Sequence, residues 1–300
     1  MSKINEKINR TDIDSVLDKI AVHRAENRIE TLQRLGYFVV TLALALLFFF
    51  PFYWLIKVAA TWPSGSLYAG APSLGLESLE LYNFIRVYYE IPFPRYLLNS
   101  IIITMLAVGG SLVTNSLAAY SLTKDFIGKR AVMAFMIAAL MIPYYVTVIP
   151  AFLLTNELGL LNTHLGIALP FMTFIIGTFI LKNSFDAIPD SMLEAARLDG
   201  ASEIYVLFGV MWRLAKPALA TNIILAFIQM WNAYLWPLVV VSDTEMQPLP
   251  LALASFTTRF DGNFALQYAF AIMVLVPVVI MFLLLQKQFI RSVVQGSVKE

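Results

Sequence analysis

Residues 217–242 read PALATNIILAFIQMWNAYLWPLVVVS, a run without one charged side chain between Lys216 and Asp243. A helix needs roughly 20 residues to cross the hydrocarbon core of a bilayer, and this run is longer. Five more uncharged runs of that length occupy 35–56, 96–123, 131–156, 158–181 and 262–286. A seventh, 58–76, contains Pro63, Ser64, Gly65, Ser66, Gly70 and Pro72 and reads as loop. Six separate runs predict an all-α membrane protein with six transmembrane helices, and they disfavour a soluble protein with a buried helical core.

Composition agrees. The chain is 59% hydrophobic and 14% charged, whereas a soluble domain has about 45–50% and about 25%. Its mean hydropathy is +0.73. A net charge of +1 gives no electrostatic basis for binding nucleic acid. The absence of cysteine excludes disulfides, thiolate metal sites and cysteine nucleophiles. Two histidines, His23 and His164, are too few for a histidine-rich metal site.

Lysine and arginine set the expected orientation. Seventeen of the 21 lie in the N-terminal segment, the second-to-third loop, the fourth-to-fifth loop and the C-terminal tail. Lys57, Arg86, Arg95 and Arg259 lie on the other side. Both termini are therefore expected in the cytoplasm, with outer loops at about 60–95, 153–164 and 242–265. The expected division is a cytoplasmic segment 1–35, a six-helix transmembrane domain 36–290 and a cytoplasmic tail 291–300. The first apolar run is too long and starts too late for a cleavable signal, so it reads as a retained anchor. Ahead of it, Ile13, Val16, Leu17 and Ile20 recur at helical spacing behind Thr11, which suggests a short amphipathic helix.

Several function classes lack their residues. No G-x-x-x-x-G-K-[ST], G-x-S-x-G or H-E-x-x-H occurs. The chain is therefore expected to be no enzyme, with no catalytic residue, no metal and no cofactor of its own. No Asp, Glu, Lys or Arg lies deep in a span, where proton- and ion-coupled carriers usually place ionisable groups.

The loop before the fifth span, 186–216, is amphipathic rather than merely polar. Ser191 and Glu194 have the S-x-x-E spacing of a capping box, and Gly200 suits the position just past a helix end. Ser202 can cap a second helix that runs toward Pro217. The expected product is a cytoplasmic helix–turn–helix. On spacing alone, capping by Glu194 and docking of this helix into a soluble partner are both open.

Two stripes mark the spans. In the second, Ser100, Thr104, Ser111 and Asn115 share a face, and interhelical packing is the favoured reading. In the fifth, Asn222, Ala226, Gln229 and Ala233 recur beside Asn232, and packing and a polar path are both open. Trp236 reads as an interfacial belt residue, while Trp231 and Asn232 fit either a belt or a path that stacks sugar faces. The path candidates are thus Asn222, Gln229, Trp231 and Asn232. Pro51, Pro143, Pro150, Pro170, Pro237 and Pro277 permit kinks.

Glu194-Ala195-Ala196 followed by Asp199-Gly200-Ala201 resembles the EAA loop of ABC-importer permeases. Further similar pieces are Asn99-Ser100, Ala118-Ala119-Tyr120, Met141-Ile142-Pro143, the run from Leu158 to Thr163, Trp231-Asn232, Leu235-Trp236-Pro237 and the run from Gly296 to Lys299. Together, over about 36–300, they resemble the shorter permease subunit of maltose-type carbohydrate importers. Two departures stand out: Trp212-Arg213 replaces a frequent Leu-Pro, and the N-terminal segment is longer.

The resemblance implies a multi-pass permease in a prokaryotic inner membrane, importing carbohydrate. It implies a heterodimer with a longer permease, a cytoplasmic ATPase dimer that binds ATP-Mg, and an extracytoplasmic solute-binding protein. Glu194, Ala195, Ala196, Asp199 and Gly200 would then couple to the ATPase, and a tail ending at Lys299 would touch it. Import of a polyol or glycerol phosphate is an alternative, as are an ion-gradient-driven carrier and a non-transporting scaffold.

Overall fold

The computed structural model describes the backbone of residues 10–60 and 80–297, with side chains over 33–60 and 80–286. The chain divides into two compact units, one through Lys57 and one from Val58 onward. The loop expected at 58–76 lies almost wholly outside the described residues, and so does Lys299.

The first unit is helix α1 (Arg10–Ala59), which continues to the start of the second. The short amphipathic helix expected before the first span is not separate from it. No Gly or Pro occurs before Gly36, so nothing interrupts the helix. The side chains of Ile13, Val16, Leu17 and Ile20 lie outside those described. Over Gln33–Ala59 this helix is long and apolar enough to cross a membrane. Its side chains from Leu35 to Phe52 are exposed, as a lipid-facing surface requires.

The second unit begins with α2 (Tyr82–Glu90), which buries Val87, and α3 (Phe93–Thr123), a second helix of spanning length. Three of the expected spans are broken. α4 (Lys129–Leu140) and α5 (Tyr144–Glu157) meet at 103° across Pro143. Proline supplies no N–H and bars helical geometry from the residue before it, so the helix restarts after Pro143. α6 (His164–Ala168) runs through a tight turn at Leu169–Phe171 and meets α7 (Ile175–Asp186) at 54°. Past α8 (Asp190–Leu198), α9 (Glu203–Leu214) meets α10 (Lys216–Trp231) at 91°. The run 217–242 then breaks again at Asn232 before α11 (Leu235–Val240). α12 (Leu249–Arg259) and α13 (Phe264–Ser297) complete the unit. Three described helices are therefore long and apolar enough to cross a membrane, or up to six if each bent pair counts as one span.

α3 is the central post. Ile103 and Ala107 pack with Val148, Ile167, Phe171, Met230 and Trp236. Toward one end, Tyr96 joins Trp231, Leu249, Phe256, Leu266 and Phe270. Toward the other, Ala119 joins Leu181, Phe185, Leu193, Leu207, Met211 and Leu219. The last cluster welds α8 and α9 to the bundle.

The segment 242–265, expected as a loop, contains α12, whose Leu249, Leu251, Ala252 and Phe256 are buried. Its first N–H donates to Ser100 Oγ at 2.7 Å. Asn99 Nδ2 donates to the carbonyls of Glu245 (2.7 Å) and Gln247 (3.1 Å), which ties the approach to α12 onto α3.

Candidate functional site

The helix–turn–helix starts two residues earlier than its sequence suggests. Pro189 is the N-cap of α8, and no side chain caps the helix. Ser191 lies inside the first turn, so the Ser191/Glu194 capping box does not form. Pro189 ends the preceding turn and has the extended backbone that a helix start needs, and Asp190 brings negative charge to the helix N-terminus. Glu194 is exposed and has no capping role.

The helix end behaves as its glycine suggests. Gly200 has φ +86°, a left-handed backbone that residues with a Cβ adopt only under strain. Its N–H donates to the Arg197 carbonyl, and the Ala201 N–H donates to the Ala196 carbonyl, both at 3.0 Å. Those two bonds form a Schellman motif. Ser202 Oγ accepts from the Tyr205 N–H at 3.3 Å and caps α9. Within α9, Val206–Met211 winds as a π-helix and buries Val206, Leu207 and Met211.

Trp212 stands where the resemblance leads one to expect Leu. Its Nε1 donates to Ser116 Oγ at 3.0 Å on α3. The hinge before α10 is the buried Ala215, with Pro217 at the start of α10.

A polar clasp closes the loop onto α3. Arg197 Nε donates to Glu203 Oε1 at 2.7 Å. Tyr120 OH donates to Glu203 Oε2, and Lys124 Nζ lies 3.5 Å from the same oxygen. Burial, with Arg197 alongside, pulls the Lys124 ammonium below the usual lysine range, and Asp190 opposes this. Outside the clasp, Leu198 is 89% exposed and Ile204 70%, with Met192 and Tyr205 also exposed. Glu194, Ala195, Asp199 and Gly200 are exposed and Ala196 is half-buried. The loop thus presents an apolar surface studded with acids, on a base fixed to α3, α7 and α10.

The path candidates part company. Asn222 is fully buried, and Ser111 Oγ donates to its Oδ1 at 3.4 Å. Trp231 is 3% exposed, stacks on Phe227 and donates from Nε1 to the Val274 carbonyl at 3.3 Å. Trp236, read as a belt residue, is 1% exposed and donates to the Gly166 carbonyl at 3.1 Å. The belt reading fails because the break at Asn232 turns α11 into the core.

Gln229 and Asn232 are exposed. They line a cleft of about 360 Å³ with Tyr144, Tyr145, Phe171 and Tyr234. The stripe from Asn222 to Ala233 is therefore not one surface: its first half packs on α3 and α7, and its second half faces the gap opened by Pro143. Tyr144 and Tyr145 escaped the sequence reading. The signal was a tyrosine pair directly after a mid-span proline.

The chain is similar to known proteins over most of its length. Residues 111–294 match the family described as "Binding-protein-dependent transport system inner membrane component". The arabinooligosaccharides transport system permease protein of Bacillus subtilis is 31% identical, over 85% of this chain and 92% of that protein. The trehalose/maltose transport system permease protein of Thermococcus litoralis is 30% identical, over 91% and 99%. The sn-glycerol-3-phosphate transport system permease protein of Escherichia coli O157:H7 is 30% identical, over 83% and 91%. Among solved structures, a chain of a bacterial ABC transporter involved in the import of the acidic polysaccharide alginate superposes with a TM-score of 0.77. The identity is 27%, covering 87% of this chain and 98% of that one.

Proposed function

This chain belongs to the family of binding-protein-dependent transport system inner membrane components, and from that premise we infer that it is a carbohydrate permease subunit of an ABC importer. Relatives named for arabinooligosaccharide, lactose and trehalose/maltose transport support the solute class. The observation that carries the mechanism is the exposed helix–turn–helix of α8 and α9, fastened at its base to the bundle.

The subunit has six spans with both termini in the cytoplasm, which the lysine and arginine distribution supports. Residues 1–35 and 291–300 are cytoplasmic, and 36–290 form the permease domain. The subunit sits in a prokaryotic inner membrane beside a second, longer permease. A cytoplasmic ATPase dimer binds and hydrolyses ATP-Mg, and an extracytoplasmic protein delivers the solute.

Coupling is mechanical. The ATPase grips α8 through a groove that accepts Ala195 and Ala196, with Glu194 and Asp199 as polar contacts and Gly200 as the turn. When ATP closes the ATPase dimer, the loop moves with it. Leu193, Val206, Leu207 and Met211 pass that displacement to α3, α7 and α10 through packed contacts. A close-packed core transmits it because it has no slack to absorb it. The loop must bind the two ATPase states unequally, since equal affinity shifts nothing.

Mild-detergent purification from the native membrane, followed by mass spectrometry, tests this. A P-loop ATPase and a second permease should co-purify in fixed ratio. Recovery of this chain alone, under conditions that preserve other membrane complexes, would overturn the assignment.

A further inference from the structure

The cleft between the two breaks is lined by residues from the middle of two uncharged runs. Gln229 stands thirteen residues from Lys216 and fourteen from Asp243. Tyr144 stands fourteen residues from Arg130 and thirteen from Glu157. Each sits at the centre of an uncharged run, farthest from water along the chain. Yet Gln229 and Asn232 are exposed on the surface of this chain, and so are Tyr144, Tyr145 and Tyr234. Asn232 Nδ2 donates to the Ile228 carbonyl at 2.9 Å, which leaves its Oδ1 to accept. Amides turned to hydrocarbon lose their hydrogen bonds at a cost of several kcal/mol, so such a face borders a cavity or another protein.

The cleft's chemistry narrows its occupant. It carries no charged side chain. An anionic solute held there would lack the cationic donors that recognise phosphate or carboxylate. Three tyrosines offer flat apolar area with a hydroxyl edge, and two amides offer paired donors and acceptors. That combination matches a sugar ring, which has an apolar C–H face and a rim of hydroxyls. A cleft of about 360 Å³ falls within the usual range of small-molecule sites, roughly 300–1,000 Å³. A second cleft, of about 310 Å³, is lined by Thr104, Met105, Phe227, Trp231, Pro277 and Leu284 and has neither a tyrosine nor an amide.

We propose that Tyr144, Tyr145, Tyr234, Gln229 and Asn232 form this subunit's own contact site for a neutral carbohydrate in transit. The tyrosine rings stack on the sugar and the two amides bind its hydroxyls. This rests on the importer reading above and adds that the solute is uncharged and touches this subunit directly. The breaks at Pro143 and Asn232 create the site by turning two helices aside.

The chain has no cysteine, so single cysteines report cleanly. Tyr145→Cys and Asn232→Cys would be placed in the complete transporter, in proteoliposomes, against a cysteine-unchanged control. Labelling by a charged, membrane-impermeant methanethiosulfonate should occur at both positions. Saturating maltotriose or raffinose should slow it at least about fivefold, and sn-glycerol 3-phosphate should not. In uptake assays with whichever saccharide protects, Gln229→Ala and Asn232→Ala should each raise KM about tenfold, the loss of roughly one good hydrogen bond. Tyr145→Phe, which keeps the ring, should lose less than Tyr145→Ala.

Absence of labelling would mean that the face is packed against the partner permease or lipid, and would overturn the proposal. Protection by the phosphate ester alone would overturn the neutral solute. Saccharide uptake with KM unchanged in both alanine variants would overturn the site and leave the importer standing. A transporter that co-purifies no ATPase and imports no saccharide would overturn both.

Discussion

Asn115 and Asn222 are fully buried, and the amide nitrogen of each lacks an acceptor among the described residues. The Asn115 oxygen is crowded instead. The Thr173 hydroxyl, the Phe174 N–H and the Thr178 hydroxyl all donate to it, at 3.3, 3.2 and 3.3 Å. A carbonyl oxygen has two lone pairs, and three long bonds are what sharing them produces. Both amide nitrogens point at Gly177. A Cβ there would lie 2.6 Å from each, and 2.6 Å from Phe174 Cζ. Gly177 is thus the gap that lets α3, α7 and α10 close on their amides. Gly177→Ala should destabilise the subunit by about 1–3 kcal/mol, as overpacked cores do. The measurement is the melting temperature in detergent, and a value equal to wild type would show that the amides move aside freely.

At the scale of elements, α8 joins two jobs that separate by face. Leu193 points into the bundle, and Ala195, Leu198 and Asp199 remain exposed. Ala195→Arg changes only the exposed face, so it should leave folding intact and abolish co-purification of the ATPase. Retained ATPase at wild-type ratio would remove the coupling role from this helix. The clasp behind it is asymmetric. Glu203 is the acid that meets Arg197, Lys124 and the Tyr120 hydroxyl together, with Asp190 acting on Lys124 as well. Glu203→Gln leaves two cations facing each other and should loosen the loop. Lys124→Gln removes a cation already held below its ordinary pKa and should be milder. A depressed folded pKa means the Lys124 charge opposes folding at neutral pH, and that opposition fades as pH rises toward the unfolded value. All these groups are partly exposed, so each effect on stability should stay within about 1 kcal/mol. Limited proteolysis of the 197–203 turn should cut Glu203→Gln faster than wild type and Lys124→Gln at nearly the wild-type rate, because loss of its ion pair is offset by loss of a charge that opposes folding, and Glu203→Gln no faster than wild type would exclude the clasp.

For the whole molecule, the outward surface is itself the argument for a membrane. Leu46, Leu47, Phe48 and Phe49 are all more than half exposed. In water such a surface would aggregate, and in lipid it is solvated. Leu47→Arg, at the middle of that run, should cost insertion about 2.5–3.5 kcal/mol. It should sharply reduce the membrane-integrated fraction in a glycosylation-mapping assay, and full integration would argue that this helix lies outside the bilayer.

The sequence by itself determined the class of the protein and the outline of the helix–turn–helix at 190–214. Uncharged runs report lipid burial residue by residue, and Gly200 and Ser202 act through local backbone geometry, which neighbours in the chain suffice to set. It also pointed to packing for Ser100, Thr104, Ser111 and Asn115, all of which are buried. Tertiary structure decided the rest. Trp236 went into the core rather than to an interfacial belt, because the break at Asn232 turns α11 inward. Asn222 and Trp231 went to packing while Gln229 and Asn232 went to a cleft, although all four share one uncharged run. Periodicity says which residues share a face, but burial depends on which other helix lies against that face and where it ends. Here the break at Pro143 ends one neighbour and the break at Asn232 turns another aside, and only the folded bundle places those two events beside one cleft.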